Sequence, residues 1–322
     1  MTRRFDATGR SAPPTVPSQK PADRPRATTF TAFGLASEAD PLAPGLHIVA
    51  TPIGNLRDIT IRALATLAAA DAVLAEDTRV TRNLLAHYGI TTPLLAYHEH
   101  SNEAVRERMV GRLQAGEALA LVSDAGTPLV SDPGYKLVQA AIEACIPITP
   151  VPGPSAVMTA LVAAGLPTDR FFFEGFLPQK AGARRNRLEA LIQVPGTLVL
   201  FESPHRLPEM LADAATVLGA DRPAAVTREL TKLYETIRRD TLGGLSQRFA
   251  EDGPPKGEIV VIIGAATALD RTPEGDEALD LLLRAALERH SIKDAASLVA
   301  DETGQPRRVV YTRALALARS EG

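Results

Sequence analysis

The chain has 322 residues, 45% hydrophobic and 23% charged, which is enough for two α/β domains with real cores and too apolar for a disordered protein. A formal net charge of −3, with pI near 6.1, excludes a uniformly basic nucleic-acid binder, so any RNA contact must come from local basic patches. One cysteine cannot form an internal disulfide, which suits the cytosol, and neither a membrane-length apolar run nor a metal-ligand spacing is present.

In chain order, residues 1–44 carry Arg3, Arg4, Arg10, Lys20, Arg24 and Arg26 among many Pro, Ser and Thr, with no apolar stretch of signal-peptide length. That composition reads as a disordered extension, either a basic arm toward RNA or a solvated start. From Gly45, short β-like runs alternate with helical patterns. Gly45–Ala50 is strand-like, and Asp58 is expected to cap a helix over Ile59–Ala69. Strands follow at Ala72–Ala75, Leu94–Ala96, Ala118–Val122 and Ile146–Thr149, with helices at Thr78–Tyr88, Glu103–Gln114 and Tyr135–Ala144. Cys145 reads as helix-face packing before the last strand. Such βα repetition predicts a largely parallel sheet for a domain over 45–166, the first part of an overall α/β chain.

A boundary near Leu166-Pro-Thr-Asp169 precedes the aromatic run Phe171-Phe-Phe173. A second α/β domain over 167–270 then has strands at Thr197–Phe201, Ala224–Thr227 and Glu258–Ile263. In 271–322, helices at Ile292–Asp301 and Pro306–Ala318 flank Gly304, which resembles a helix-turn-helix appendage.

Three strand-end loops share one design. Thr51-Pro-Ile-Gly-Asn55, Ser123-Asp-Ala-Gly-Thr-Pro-Leu-Val-Ser-Asp-Pro-Gly134 and Val151-Pro-Gly-Pro-Ser-Ala156 each follow an apolar run and precede a helix. Glycines let backbone approach a ligand, prolines fix its course, and strand ends are where α/β sheets bind ligands. Neither G-x-G-x-x-G nor G-x-x-x-x-G-K-[ST] occurs, so nucleotide phosphates are not the obvious ligand, and the cleft between the domains is the natural active site. Asp124, just past a strand end, suits ligand hydroxyls. Ser155 suits either a ligand or the cap of the next helix, and Asp132 either a ligand or its own turn.

These loops, with Ala-Glu-Asp-Thr-Arg (75–79), Phe-Glu-Gly-Phe-Leu-Pro (173–178), Glu-Ser-Pro-His-Arg (202–206), Arg-Glu-Leu-Thr-Lys (228–232) and Lys-Gly-Glu (256–258), resemble the tetrapyrrole-methylase superfamily. Within it they are most similar to the RsmI branch, which methylates the ribose 2′-hydroxyl of a cytidine in the decoding region of 16S ribosomal RNA. The resemblance runs in order from about Gly45 to Leu317. It implies a two-domain tetrapyrrole-methylase-like fold, S-adenosylmethionine as cofactor, 16S rRNA or the 30S ribosomal subunit as partner, and a homodimer. It places Pro52, Ile53, Asp124, Ala125, Gly126, Thr127, Ser155 and Ala156 on the cofactor, with Phe201 and Glu258 completing the pocket.

Methyl transfer to oxygen gains most from alignment, by roughly 7–11 kcal/mol, and a ribose hydroxyl is a poor nucleophile that a nearby cation or carboxylate assists. Arg228, Glu229 and Lys232 are the catalytic candidates, with His205 and Arg206 also able to assist, and each of these, like Arg79, also reads as surface charge or an internal ion pair. Lys180-Ala-Gly-Ala-Arg-Arg-Asn-Arg187 holds four cations and no carboxylate, which nominates Arg184, Arg185 and Arg187, together with His205 and Arg206, for the RNA backbone. Arg307, Arg308, Arg313 and Arg319 give the tail a second basic cluster. The expected function is 2′-O-methylation of rRNA. A tetrapyrrole methyltransferase, which leaves the tail unexplained, and a non-catalytic RNA-binding assembly protein are the alternatives.

Overall fold

The computed structural model describes residues 29–32, 34–98, 101–131, 134–266, 273–303 and 307–320. Backbone contacts divide the chain into two units: Met1–Val49, Thr60–Asp124 and Asp132–Pro152 form the first, and Ala50–Ile59, Ala125–Ser131 and Gly153–Gly322 the second. The stretches that follow the ends of two strands thus group with the second unit, a division that no single cut in the sequence reproduces.

The first unit corrects the reading of 1–44 as wholly disordered. β1 (Thr29–Ala32) and β2 (Leu35–Glu38) pair antiparallel, with Thr29 opposite Glu38. Phe30 and Ala32 alternate inward, Ala39 is buried behind them, and Thr31 N–H donates to the Tyr88 carbonyl at 2.8 Å. This period-2 pattern is four residues long and vanishes when averaged with the Pro- and Arg-rich sequence before it. The six cations of the extension all lie in 1–28, outside the described residues.

The body of this unit alternates β3 (Gly45–Val49), α1 (Ile61–Ala69), β4 (Ala72–Ala75), α2 (Thr78–His87), β5 (Leu94–Ala96), α3 (Glu103–Gln114), β6 (Ala118–Val122), α4 (Tyr135–Glu143) and β7 (Ile148–Val151). Its sheet is parallel throughout, in the order β5-β4-β6-β3-β7. Helices cover such a sheet on both faces, so β3, β4 and β6 are unbroken buried runs, while Pro150 is tolerated on the edge strand β7. Thr60, not Asp58, caps α1: Ile59 and Thr60 are extended, Thr60 Oγ1 accepts from Ala63 N–H at 3.1 Å, and Asp58 ends a preceding 3-10 turn. Cys145 is exposed at a left-handed turn (φ 56°) after α4 rather than packed on a helix face.

The first α-helix of the second unit is α5 (Ala156–Ala164), which the expected boundary near 166 assigned to the first. It continues through β8 (Phe171–Phe176), α6 (Ala181–Leu191), β9 (Thr197–Glu202), α7 (Leu207–Leu218), β10 (Pro223–Arg228), β11 (Thr236–Thr241), α8 (Leu242–Asp252) and β12 (Ile259–Ile263). The sheet order is β11-β10-β12-β9-β8, antiparallel except between β8 and β9. Both faces are apolar. Leu198, Leu200, Val226 and Val261 pack on one side with residues of α6, α7 and α8, while Val199, Ala225, Val260 and Ile262 meet Val157, Ala160 and Leu161 of α5 on the other. Alternate residues therefore face different hydrophobic layers, which is why these strands read as continuous apolar runs.

The tail holds α9 (Pro273–Leu287), α10 (Ile292–Thr303) and α11 (Arg307–Ser320) around a core of its own, including Leu279, Leu283, Val299, Val310 and Ala314. No helix among the described residues is long and apolar enough to cross a membrane.

Candidate active site

The expected cofactor loops are tied to one another within the second unit. Thr51 and Gly126 exchange N–H···O bonds at 2.9 and 3.0 Å, and Thr127 Oγ1 donates to the Pro154 carbonyl at 3.1 Å. Pro52 and Ile53 are buried, and Ile53 packs with Val157, Leu161 and Val260, so it shapes the loop from the core side. Ala156 and Phe201 are half-buried against the same cluster, while Ala125 is exposed. Of the two roles expected for Ser155, the cap is present: its hydroxyl accepts from Met158 N–H at 3.5 Å at the start of α5. Asp124 is exposed at the end of β6 and accepts from Asp77 N–H at 3.1 Å. Asp132 lies outside the described residues.

A charged centre forms beside the first of these loops. Lys232 Nζ donates to Glu229 at 2.8 Å and to Glu258 at 3.0 Å, so Glu258, expected on the cofactor, sits with the catalytic candidates. The lysine stem runs across Gly54, where a Cβ would lie 2.4 Å from Lys232 Cγ, and Asn55 N–H donates to Thr231 Oγ1 at 3.2 Å. Burial pulls the Lys232 ammonium down, but the bonds to Glu229 and Glu258 outweigh it and hold its pKa above the usual lysine value. The Lys232 hydrogen bond and the Glu258 N–H hold the Glu229 carboxyl below its ordinary value. Both groups are therefore ionised at neutral pH.

The loop carrying this centre is strained and braced. Glu229 (φ 52°) and Thr231 (φ 67°) occupy the left-handed region, which costs about 1–3 kcal/mol each for side chains of this kind. Offsetting bonds run from Glu229 N–H to the Glu258 carbonyl at 2.9 Å and from Thr231 N–H to Glu235 at 2.7 Å. Arg228 donates to the carbonyls of Tyr234 and Lys256, both at 3.0 Å, and to Thr236 Oγ1 at 3.2 Å, which makes it a brace of the loop. Arg79 is engaged elsewhere, by Asp77, whose carboxyl it draws down to about 2.

The first basic cluster is corrected by its partners. Arg184 is 2% exposed and bonds to Asp213 at 2.7 Å, so it cannot reach a phosphate. Arg185 also pairs with Asp213, and Arg187 grips both oxygens of Glu174 at 2.6 Å. Burial pushes the Asp213 carboxyl up, but Arg185 and Arg184 outweigh it and leave its pKa lowered. Arg206 pairs with Glu202 at 3.3 Å and donates to the Leu177 carbonyl at 2.7 Å, while His205 is exposed. In the tail, Arg307 pairs with Asp301 and Arg313 with Asp280, while the side chains of Arg308 and Arg319 are outside the described residues. Sequence reading missed Gly54, Thr231 and Phe176, although each sits inside a quoted motif. Their importance lies in contacts with distant segments.

Residues 45–246 match the family described as tetrapyrrole (corrin/porphyrin) methylases, and residues 273–318 match the one described as the RsmI C-terminal HTH domain. The ribosomal RNA small subunit methyltransferase I of Mesorhizobium japonicum is 52% identical over 287 residues, covering 88% of this chain and 96% of that protein. The protein of the same name from Pseudomonas aeruginosa is 48% identical over 279 residues, covering 84% and 96%. Among solved structures, the methyltransferase CobJ aligns with a TM-score of 0.53 at 19% identity, over 69% of this chain and 94% of that one. A conserved hypothetical protein from Aeropyrum pernix K1 aligns at 0.54 and 18%, over 87% and 98%, and at such identities the likeness concerns the fold alone. With the methylase family matched over more than half of its length, and relatives about half identical along nearly all of theirs, the chain belongs to the tetrapyrrole methylase family and, within it, to the ribosomal RNA small subunit methyltransferase I group.

Proposed function

We propose that the chain is an S-adenosylmethionine-dependent methyltransferase that 2′-O-methylates a cytidine ribose in the decoding region of 16S ribosomal RNA, in the cytoplasm and as a homodimer. What carries the reading is the match to small-subunit rRNA methyltransferases over 96% of the length of the Mesorhizobium japonicum relative.

The residues present fit the cofactor. The bridge between Thr51 and Gly126 sets loop backbone beside the apolar Ile53, Asp124 ends β6 with an exposed carboxylate, and Ala156 and Phe201 add apolar surface. Asp124 and Ala125 would hold its polar groups, and Ile53, Ala156 and Phe201 its apolar ones, while Gly126, bonded to Thr51 through both its N–H and its carbonyl, fixes the backbone between them. Thr127 and Ser155, whose hydroxyls are engaged, keep the loops in place. When bound, S-adenosylmethionine would supply a sulfonium methyl group, to be taken up by an oxygen nucleophile with S-adenosylhomocysteine as the departing thioether.

Lys232 acts as a cation rather than a base, because its pKa is raised. An ammonium has three N–H donors, of which Glu229 and Glu258 take two, and the third meets the ribose 2′-oxygen and stabilises charge developing there. Glu258, with its side chain 71% exposed, receives the hydroxyl proton. Glu229 holds the ammonium in place.

Labelled S-adenosylmethionine offered with 30S particles, naked 16S RNA or a uroporphyrinogen-type tetrapyrrole tests this. Label should enter RNA at one nucleotide and make the phosphodiester bond on its 3′ side resistant to alkali, because the 2′-hydroxyl that would attack it is blocked. Label in the tetrapyrrole alone, or in none of the three, overturns the proposal.

A further inference from the structure

Phe176 is 57% exposed at the end of β8, the edge strand of its sheet. In a regular strand, Phe173 and Phe176 would face opposite sides. Here both rings meet Phe201 edge-on, with centroids 4.9 and 5.6 Å away. The cause is a bulge: Phe173 pairs with Val199 and Gly175 with Leu200, leaving Glu174 as the extra residue. Gly175 takes φ 75°, and a Cβ there would lie 3.1 Å from Ser131 Oγ, so the turn admits no larger residue without displacing that hydroxyl.

The backbone on either side of the ring is pinned. Arg187 holds Glu174 with two bonds, while beyond the ring Leu177 is 2% exposed and the carbonyls of Leu177 and Pro178 accept from Arg206. Glu202, 3% exposed, holds Arg206 in turn, and burial pushes its own carboxyl pKa up against the opposing pull of Ser203 N–H and Arg206. Leu177 belongs to the core, but the ion pairs on either side of Phe176 fix the backbone of a ring left in solvent. They suit a surface that must be rigid when something flat is laid on it.

We propose that Phe176 is a stacking platform for an unpaired base of the RNA substrate, and that Arg187 and Arg206 are positioning residues that aim it rather than phosphate contacts. This rests on the RNA reading given above. Single-stranded RNA is recognised by splaying its bases onto aromatic side chains, and Glu174 and Glu202 are both paired with arginine, so neither repels the neighbouring phosphates.

The test uses the full chain with 30S particles for turnover, and an RNA of the decoding-region sequence carrying a fluorescent cytosine analogue for binding. Phe176→Ala and Phe176→Leu should raise KM for RNA roughly tenfold to a hundredfold and abolish quenching of the analogue, while Phe176→Tyr restores both. Arg187→Gln should raise KM without changing the salt slope of RNA binding, which a lost phosphate contact would flatten. Equal RNA affinity in wild type and Phe176→Ala overturns the platform, as does full rescue by leucine. A shift from dimer to monomer in Phe176→Ala also overturns it, by assigning the ring to a second copy of this chain, and weaker S-adenosylmethionine binding with unchanged RNA binding assigns it to the cofactor. Absence of methyl transfer by the wild type would sink the proposed function alone, because the platform is read from binding.

Discussion

Replacing Gly54 with alanine should cost stability only because Lys232 is where it is. The new Cβ would lie 2.4, 2.9 and 3.1 Å from Lys232 Cγ, Cε and Cδ, and the backbone at 54 is not left-handed, so the penalty is steric. Overpacking of this kind costs about 1–3 kcal/mol. The alternative is for the lysine to swing away and lose its bonds to Glu229 and Glu258. Hydrogen bonds to charged groups contribute about 1.5–3 kcal/mol, less for the pair to the exposed Glu258. Either route gives a loss of about 1–3 kcal/mol, to be read from urea unfolding. In a Lys232→Ala background the obstruction is gone, and Gly54→Ala should be neutral or stabilise by about 0.4–1 kcal/mol through the unfolded chain. The coupling should thus exceed the roughly 0.5 kcal/mol expected of independent sites. Methyl transfer should fall in Gly54→Ala toward the level of Lys232→Ala, and no further in the double variant. An equal cost of Gly54→Ala in both backgrounds would refute the contact and, with it, the placement of the ammonium beside the 51–55 loop.

Removing Arg184 with alanine leaves buried Asp213 short of a partner and should destabilise by about 3–5 kcal/mol in thermal unfolding, with the salt slope of RNA binding unchanged; a stable variant with a flatter slope would return Arg184 to the RNA. Asp124→Asn keeps an acceptor for Asp77 N–H while removing the charge, so calorimetry should show weaker S-adenosylmethionine binding in a folded protein, and unchanged affinity would remove this residue from the cofactor. Glu229 has a lowered pKa, so its contribution to stability is complete above its ordinary 4.5 and is lost as pH falls through the folded value. Lys232, raised from 10.5, loses its contribution as pH climbs through its own folded value, and a Glu229→Gln variant whose acid limb matches the wild type would contradict the coupling. Deleting 273–322, which carries its own core, should weaken RNA association and flatten its salt dependence while S-adenosylmethionine binding survives; unaltered RNA binding and methylation would make the tail a packing element.

From Gly45 onward the elements of the first unit were legible because β3, β4 and β6 are wholly buried runs, apolar but for His47, separated by helical patterns, and period is a local property of sequence. The three strand-end loops were legible for the same reason, since glycine and proline restrict backbone wherever they stand. Charge pairing is not local. The stretch from Lys180 to Arg187 shows no carboxylate to a reader of sequence, yet Asp213 and Glu174, 29 and 13 residues away from Arg184 and Arg187, pair three of its four cations. Lys232 meets Glu258 across 26 residues, and Asn55 meets Thr231 across 176. The role of Gly54 became visible only when a lysine stem lay across it, and that of Phe176 only when a bulge brought it to Phe201. Sequence by itself determined the alternating strands, helices and glycine- and proline-bearing loops of 45–166, because those depend on neighbours in the chain, while β1, β2 and β11 escaped it. Which cations are free and which rings are presented was decided by tertiary structure, because only folding sets distant carboxylates and aromatic rings within bonding range.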